Sequence, residues 1–243
     1  MRPEQYELMY AVEDRLWWYR GMRGILFALL ERYGALRPGI DILDAGCGTG
    51  RLLTAYRERG FAPVGLDFHP LAVRYSAQRG HQRILRGSVN ALPFPDARFD
   101  LVSCIDVIVG AMVDDAGAVR ELRRVTRPGG WVLLSAAAYR WLMSAHDRAT
   151  LTARRYTARD VRALLEGAGL RVEKLTYANT LLFPLAAARR LLTRNADATN
   201  WRETAIPPAW INEPFRAALA VEERLIGLGS LPFGLTIIAL ARR

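Results

Sequence analysis

Lysine is almost missing from this 243-residue chain: of its 34 basic side chains only Lys174 is not an arginine, against 24 acidic groups and a formal charge of +10. So lopsided a choice reflects a GC-rich coding sequence as much as a charged binding surface. Cysteine and histidine are scarce as well, two and three residues respectively. With no CxxC and no Cys/His cluster, a disulfide framework and a zinc-ribbon type of site are excluded, and no metal site is expected. Cys47 and Cys104 lie in apolar segments and are read as small buried side chains in a reducing cytosol. Long apolar runs are also wanting. The longest uncharged stretch, Leu225 to Ala241, has 17 residues interrupted by three glycines and Pro232, short of the roughly 20 that a membrane-spanning helix needs. The polar opening Met1 to Glu7 carries no leader pattern, and a cytoplasmic protein is expected.

What is present is a glycine loop. Asp41-Ile42-Leu43-Asp44-Ala45-Gly46-Cys47-Gly48-Thr49-Gly50 ends a short apolar strand in glycines at alternate positions and then opens a helix. Glycine there lets the backbone turn sharply and approach a ligand with no Cβ between them. The spacing G-x-G-x-G differs from the G-x-G-x-x-G of dinucleotide sites, so the ligand need carry no phosphate. A second buried strand, Ala62 to Asp67, ends in a carboxylate about 20 residues on, the place from which an acid reaches ribose hydroxyls. Phe99 to Asp106 is another apolar strand. A helix closing over Glu121 to Arg127, a Pro128-Gly129-Gly130 turn and the strand Trp131 to Ala136 follow. The alternating order predicts an α/β fold with a doubly wound sheet.

Residues 41 to 137 resemble the core of a class I S-adenosylmethionine-dependent methyltransferase, of the broad type that includes small-molecule and quinone methyltransferases. The resemblance rests on four stretches in the family's order: Asp44 to Gly50, Asp67, Ala91-Leu92-Pro93-Phe94-Pro95-Asp96 with Phe99-Asp100, and Arg124 to Gly130. It implies the Rossmann-like methyltransferase fold, a doubly wound, seven-stranded, mostly parallel sheet, and S-adenosyl-L-methionine as cofactor. Gly46 and Gly48 would face its methionine end, Asp67 its ribose, and Ser88 with Val89 the adenine edge, with Asp44, Cys47, Phe68 and Ile105 completing the contacts. Many relatives carry Asp where this chain has Ser88, which weakens that contact or moves it elsewhere.

Methyl transfer needs an aligned acceptor, excluded water and sometimes a proton acceptor. Three clusters qualify. Trp17-Trp18-Tyr19-Arg20 with Arg23 resembles an aromatic segment preceding the core in one bacterial subgroup, and is either part of the acceptor site or an aromatic staple of the N-terminal helix. Asp106 stands at the mouth of the fourth strand, where relatives often have a His a few residues later and this chain has Val109-Gly110-Ala111. Tyr139 to Asp147 followed by Arg154-Arg155-Tyr156-Thr157 resembles the same subgroup's signature after strand five, lacking its second His near Thr152. His146, Asp106 and Tyr156 are the catalytic candidates. Trp17, Trp18, Tyr19, Arg23, Tyr139 and Arg155 are the candidates for holding the acceptor; Arg154, Arg155 and Tyr156 could equally brace the lid by ion pairs.

The organisation expected is an N-terminal helical lid over residues 1–40 and a core over 41–243, with a cap insertion around 139–156 and a lid or helical insertion around 179–226. Within these, residues 4–33 form one helical segment. Thr157 with Asp160 caps a helix to about Gly167, Leu170 to Tyr177 is a strand, 179–194 is a helix broken near Pro184, and 195–214 is a loop. A helix to about Ile226 and a strand from Gly234 to Arg242 finish the chain. The helix over 179–194, with Leu181 to Leu185 and Arg189-Arg190, suits a lid over an apolar acceptor pocket, a dimer contact or a shallow membrane contact. The expected partner is a small, partly apolar metabolite, and the protein a monomer or homodimer. Ile105-Asp106-Val107 lacks the Asn/Asp-Pro-Pro-aromatic motif of nucleobase methyltransferases, which argues against a nucleic-acid substrate. The alternatives are a cyclase acting on the cofactor's aminobutyrate arm, a non-catalytic cofactor-binding scaffold and a nucleic-acid methyltransferase.

Overall fold

Seven strands form one sheet: β1 (Ile42–Ala45), β2 (Val64–Asp67), β3 (Ile84–Arg86), β4 (Phe99–Ile105), β5 (Thr126–Ala137), β6 (Arg171–Ala178) and β7 (Thr236–Arg242). Their order is β3-β2-β1-β4-β5-β7-β6, with β7 antiparallel to both neighbours and the other pairings parallel. The computed structural model describes residues 2–192, 194 and 206–243.

The central strands read as unbroken apolar runs because helices cover both faces, so each alternate side chain has a core to enter. Leu101, Trp131, Leu133, Ile238 and Leu240 point to one face, where α2 (Trp17–Arg32) and α9 (Ala209–Leu228) lie. Val102, Cys104, Val132, Leu134, Ile237 and Ala239 point to the other, against α5 (Asp115–Val125) and α7 (Ala158–Gly167). The sheet is thus the middle of three layers. α2 and α9 approach so closely that a Cβ on Gly21 would lie 2.4 Å from Leu219 Cδ1. The other helices are α1 (Pro3–Val12), α3 (Arg51–Arg57), α4 (Pro70–Gln78), α6 (Ala145–Thr150) and α8 (Phe183–Leu192).

Several expectations need correction. The N-terminal segment is two helices, α1 and α2, with a bend over Glu13 to Leu16 between them. α2 is a layer of the core, not a lid. Pro184 stands in the first turn of α8, where its missing N–H is harmless, so it starts that helix instead of breaking it. α9 begins at Ala209 and carries Pro214 in its own second turn, and it too is a packing helix, with Leu219 and Ile226 buried. Of the predicted loop over 195–214, residues 195–205 lie outside the described residues. The Thr157–Asp160 capping box forms as the sequence predicts. Among the described residues, no helix is long and apolar enough to cross a membrane.

Candidate functional site

The strand order reverses between β1 and β4, and in open α/β sheets the crevice beyond the carboxyl ends at such a point receives the ligand. The glycine loop leaves β1 there. Gly46 and Gly48 take φ of 88° and 54°, a region costly for any residue with a Cβ, and a Cβ on Gly46 would also lie 2.2 Å from Val107 Cγ2. Gly46 and Cys47 donate their N–H groups to Leu66 O at 2.7 and 3.0 Å, which ties the loop to β2.

Asp67 ends β2 directly beside it. Its carboxylate accepts the Gly48 N–H and the His69 N–H, each at 2.9 Å. Burial raises its pKa, and those two donors offset part of the rise. A carboxylate has about four acceptor positions, so Asp67 retains capacity for a diol. Phe68 follows with its ring 55% exposed, a flat apolar face next to the acid. Asp44 is buried and accepts from Ser103 Oγ at 2.8 Å. Burial pushes it up to about 7, and the Asp67 charge adds to the rise.

The other cofactor candidates are placed less directly. Cys47 turns its thiol inward, 4.0 Å from Ser76 Oγ, so its side chain is a packing group. Val89 is buried in the main core, Ser88 Oγ accepts the Asn90 N–H at 3.2 Å, and Ile105 ends β4 half-buried.

A contribution invisible in the sequence is the docking of α1 over the glycine loop. Met9 Cε lies 3.0 Å from the position a Cβ on Gly48 would take. The Tyr6 ring stacks on His69 with centroids 4.6 Å apart, and Tyr10 stacks on Tyr75 at 4.7 Å. At the following bend, Glu13 accepts from Thr49 Oγ1 and pairs with Arg79 Nη2 at 2.8 Å. No spacing rule joins Glu13 to Thr49 or to Arg79, and no local signal could have found them.

Asp106 follows β4 with a positive φ of 56°, on the other side of the crevice. Its Oδ1 accepts from Ser135 Oγ at 3.0 Å. Burial raises its pKa, while the Ser135 bond and the nearby Arg155 and His146 pull it back, so His146 shares its electrostatic neighbourhood. Tyr19 faces the same interior: burial raises its pKa, and the Glu13 and Asp106 charges raise it further.

The remaining acceptor candidates brace the fold. Trp17 donates its N–H to Asn212 Oδ1 at 2.9 Å and sets its ring edge-on to Phe215 at 5.2 Å, stapling α2 to α9. Trp18 packs against the α2–α9 core and edge-on to Tyr19. Arg23 donates to the Glu13 carbonyl at 2.8 Å. Tyr139 stacks on Tyr177 at 5.4 Å. Arg155 gives its guanidinium to Asp147 Oδ1 at 2.8 Å and Ala138 O at 2.7 Å, and Tyr156 donates to Asp115 Oδ2 at 2.7 Å. Arg155 and Tyr156 are thereby removed from the acceptor and proton-transfer roles expected of them, because their polar atoms are committed within the fold. Tyr19, Asp106 and His146 are what the structure gathers.

Residues 43–134 match the family model of a methyltransferase domain. Malonyl-[acyl-carrier protein] O-methyltransferase of Serratia marcescens is 42% identical over 108 residues, 43% of this chain and 41% of that protein. Ubiquinone biosynthesis O-methyltransferase of Leptothrix cholodnii is 31% identical over 104 residues, 40% and 44% of the two chains. The matched stretch thus spans less than half the length of these curated relatives. Among solved structures, a SAM-dependent methyltransferase from Methanosarcina mazei covers 87% of this chain and 95% of its own, with a TM-score of 0.58 at 15% identity. The [4+2]-cyclase SpnF covers 91% and 80%, with a TM-score of 0.61 at 22% identity. At those identities the likeness is one of fold.

Proposed function

Because residues 43–134 belong to the class I S-adenosylmethionine-dependent methyltransferases, we propose that this chain transfers the methyl group of S-adenosylmethionine to a small, partly apolar acceptor. The observation that carries the proposal is the adjacency of three groups around the switch point: the Cβ-free glycine loop after β1, Asp67 ending β2, and Asp106 ending β4.

The residues fit that cofactor. Gly46 and Gly48 adopt the positive-φ backbone that a close approach requires, Asp67 keeps acceptor capacity for a ribose diol, and Phe68 offers a ring face for a base. Val107 and Met9 pack where side chains on these glycines would lie.

The cofactor supplies an electrophilic methyl group on a sulfonium that is itself a good leaving group. The chain's part is to align the acceptor and keep out water. Tyr19 and the 139–156 segment close the crevice around Asp106. With its pKa raised by burial and its carboxylate oriented by Ser135, Asp106 is suited to accept a proton from an acceptor or to hold its hydroxyl. His146 biases that charge from nearby.

The names of the malonyl-[acyl-carrier protein] relatives describe an acceptor displayed on a carrier protein, and the formal charge of +10 would steer encounter with a carrier of opposite charge. The test is calorimetric titration with S-adenosylmethionine and S-adenosylhomocysteine, then mass analysis after incubation without and with acceptors, free and carrier-bound. Binding, with the cofactor intact until an acceptor is added, supports the proposal. Conversion to methylthioadenosine without acceptor would replace it with the cyclase, and absence of binding would overturn it.

A further inference from the structure

Away from the cofactor crevice, a cavity of about 280 Å³ opens between α2 and α3, lined by Arg20, Arg23, Arg51 and Arg59 with a single carboxylate, Glu58, and the ring of Phe27. Two of these guanidinium groups have partners: Arg20 pairs with Glu213 at 2.7 Å, and Arg59 lies over the Phe27 ring in the cavity wall at 3.8 Å with Glu31 3.6 Å away. The other two are the anomaly. Arg51 is only 16% exposed and faces Asp14 through Nε at 2.5 Å, but Glu58 stands off at 3.4 Å, and its buried Nη1 makes no hydrogen bond among the described residues. Arg23 finds a backbone carbonyl and no carboxylate within ion-pair distance among the described residues. Burial, and then repulsion from Arg51, pulls the Arg23 pKa down to about 10.

A buried guanidinium without its full set of acceptors is unfavourable, and two that repel each other are more so. Asp14 and Glu58 still leave Arg51 Nη1 without an acceptor among the described residues, and the cavity, open to solvent, is lined by four guanidinium groups and one carboxylate. Guanidinium forks match phosphate oxygens in geometry, and several can share one multiply charged oxyanion. The volume lies just under the roughly 300–1,000 Å³ of drug-sized ligand sites, enough for a small anion.

We propose that this cavity is a binding site for a small phosphate-class anion, either inorganic or a phosphate ester on a short organic stem, with Arg23 and Arg51 as its principal donors. It stands independently of the methyl-transfer proposal, since no group of it touches Asp67 or Asp106.

The test is calorimetric titration of the full chain with inorganic phosphate, inorganic pyrophosphate and glycerol 3-phosphate, each against sodium chloride at equal ionic strength. One saturable site is expected. Arg51→Gln should weaken binding at least tenfold. Glu58→Gln, which removes the one carboxylate competing for the same donors, should tighten it severalfold and keeps the test decisive if Arg51→Gln folds poorly. Arg59→Gln should weaken binding while leaving titration with S-adenosylmethionine unchanged. Pyrophosphate binding more tightly than glycerol 3-phosphate assigns the site to a free anion, and the reverse order to an ester. No saturable binding, binding equal to the chloride control, or unchanged affinity in both Arg51→Gln and Glu58→Gln would overturn the proposal.

Discussion

Glu13, in the bend between the first two helices, accepts the hydroxyl hydrogen of Thr49 inside the glycine loop. That bond and the Glu13–Arg79 pair at 2.8 Å are what hold α1 over the crevice. Glu13→Ala leaves the Thr49 hydroxyl unpaired and Arg79, 12% exposed, with Asp14 as its remaining carboxylate. Stranding buried polar groups costs about 1–3 kcal/mol. Hydrogen exchange over residues 3–12 should therefore accelerate about tenfold or more while the sheet keeps its protection, and unchanged protection would refute this anchoring role.

Asp67→Ala is expected to weaken binding of S-adenosylmethionine at least tenfold, because the acid is the group positioned for the ribose and about 1.4 kcal/mol corresponds to a factor of ten. Titration calorimetry reads it directly. An unaltered dissociation constant would mean that the ribose is held elsewhere.

Asp44 makes stability depend on pH in an unusual direction for a carboxylate. Its folded-state pKa, raised to about 7 by burial and by Asp67, lies above the unfolded value of about 3.9. The native state therefore holds a proton that the unfolded chain releases, and stability falls as pH rises across that interval. The contribution of Asp44 is complete below about pH 4 and lost as pH passes through about 7. Urea unfolding from pH 5 to pH 8 should show this decline in the wild type and a flatter profile in Asp44→Asn. Parallel profiles would place the decline on another group.

Asp147 sits between Arg155 at 2.8 Å and Arg190 at 3.2 Å, and also accepts from the Ser144 backbone N–H at 2.8 Å and from its hydroxyl at 3.1 Å. With the Arg155 and Asp147 side chains only 2% and 1% exposed, Asp147→Ala abandons buried charge and should destabilise the chain by about 3–5 kcal/mol. A loss under 1 kcal/mol in thermal or denaturant unfolding would show that water takes over the guanidinium groups.

His146→Ala should slow turnover while leaving cofactor affinity intact, since His146 lies by Asp106 and not by the glycine loop. If kcat and cofactor binding fell together, His146 would be holding the fold and not assisting the reaction.

The glycine loop and the acid beside it were legible in the sequence because their parts are local. A glycine that must adopt positive φ, as Gly46 does, and an acid that must close a strand, as Asp67 does, are marked by residue type and by position within their own strand-loop-helix units. The capping box of Thr157 and Asp160 was legible for the same reason. The acceptor side was not. Along the chain Arg155 and Tyr156 could as well hold an acceptor as brace the lid, and it took Asp147, Ala138 and Asp115 brought alongside them to favour bracing.

The amino-acid sequence by itself determined the alternation of strands and helices, the three-layered α/β class and the loop geometry at β1, because these follow from periodicity and backbone sterics over a few residues. Only the tertiary structure decided that Glu13 meets Thr49, that Trp17 is spent on α9, and that Arg23 and Arg51 line one open cavity. Those relationships depend on how helices far apart in sequence pack on the sheet. A charged or aromatic side chain acquires its role from what burial leaves it to pair with, which no spacing along the chain encodes.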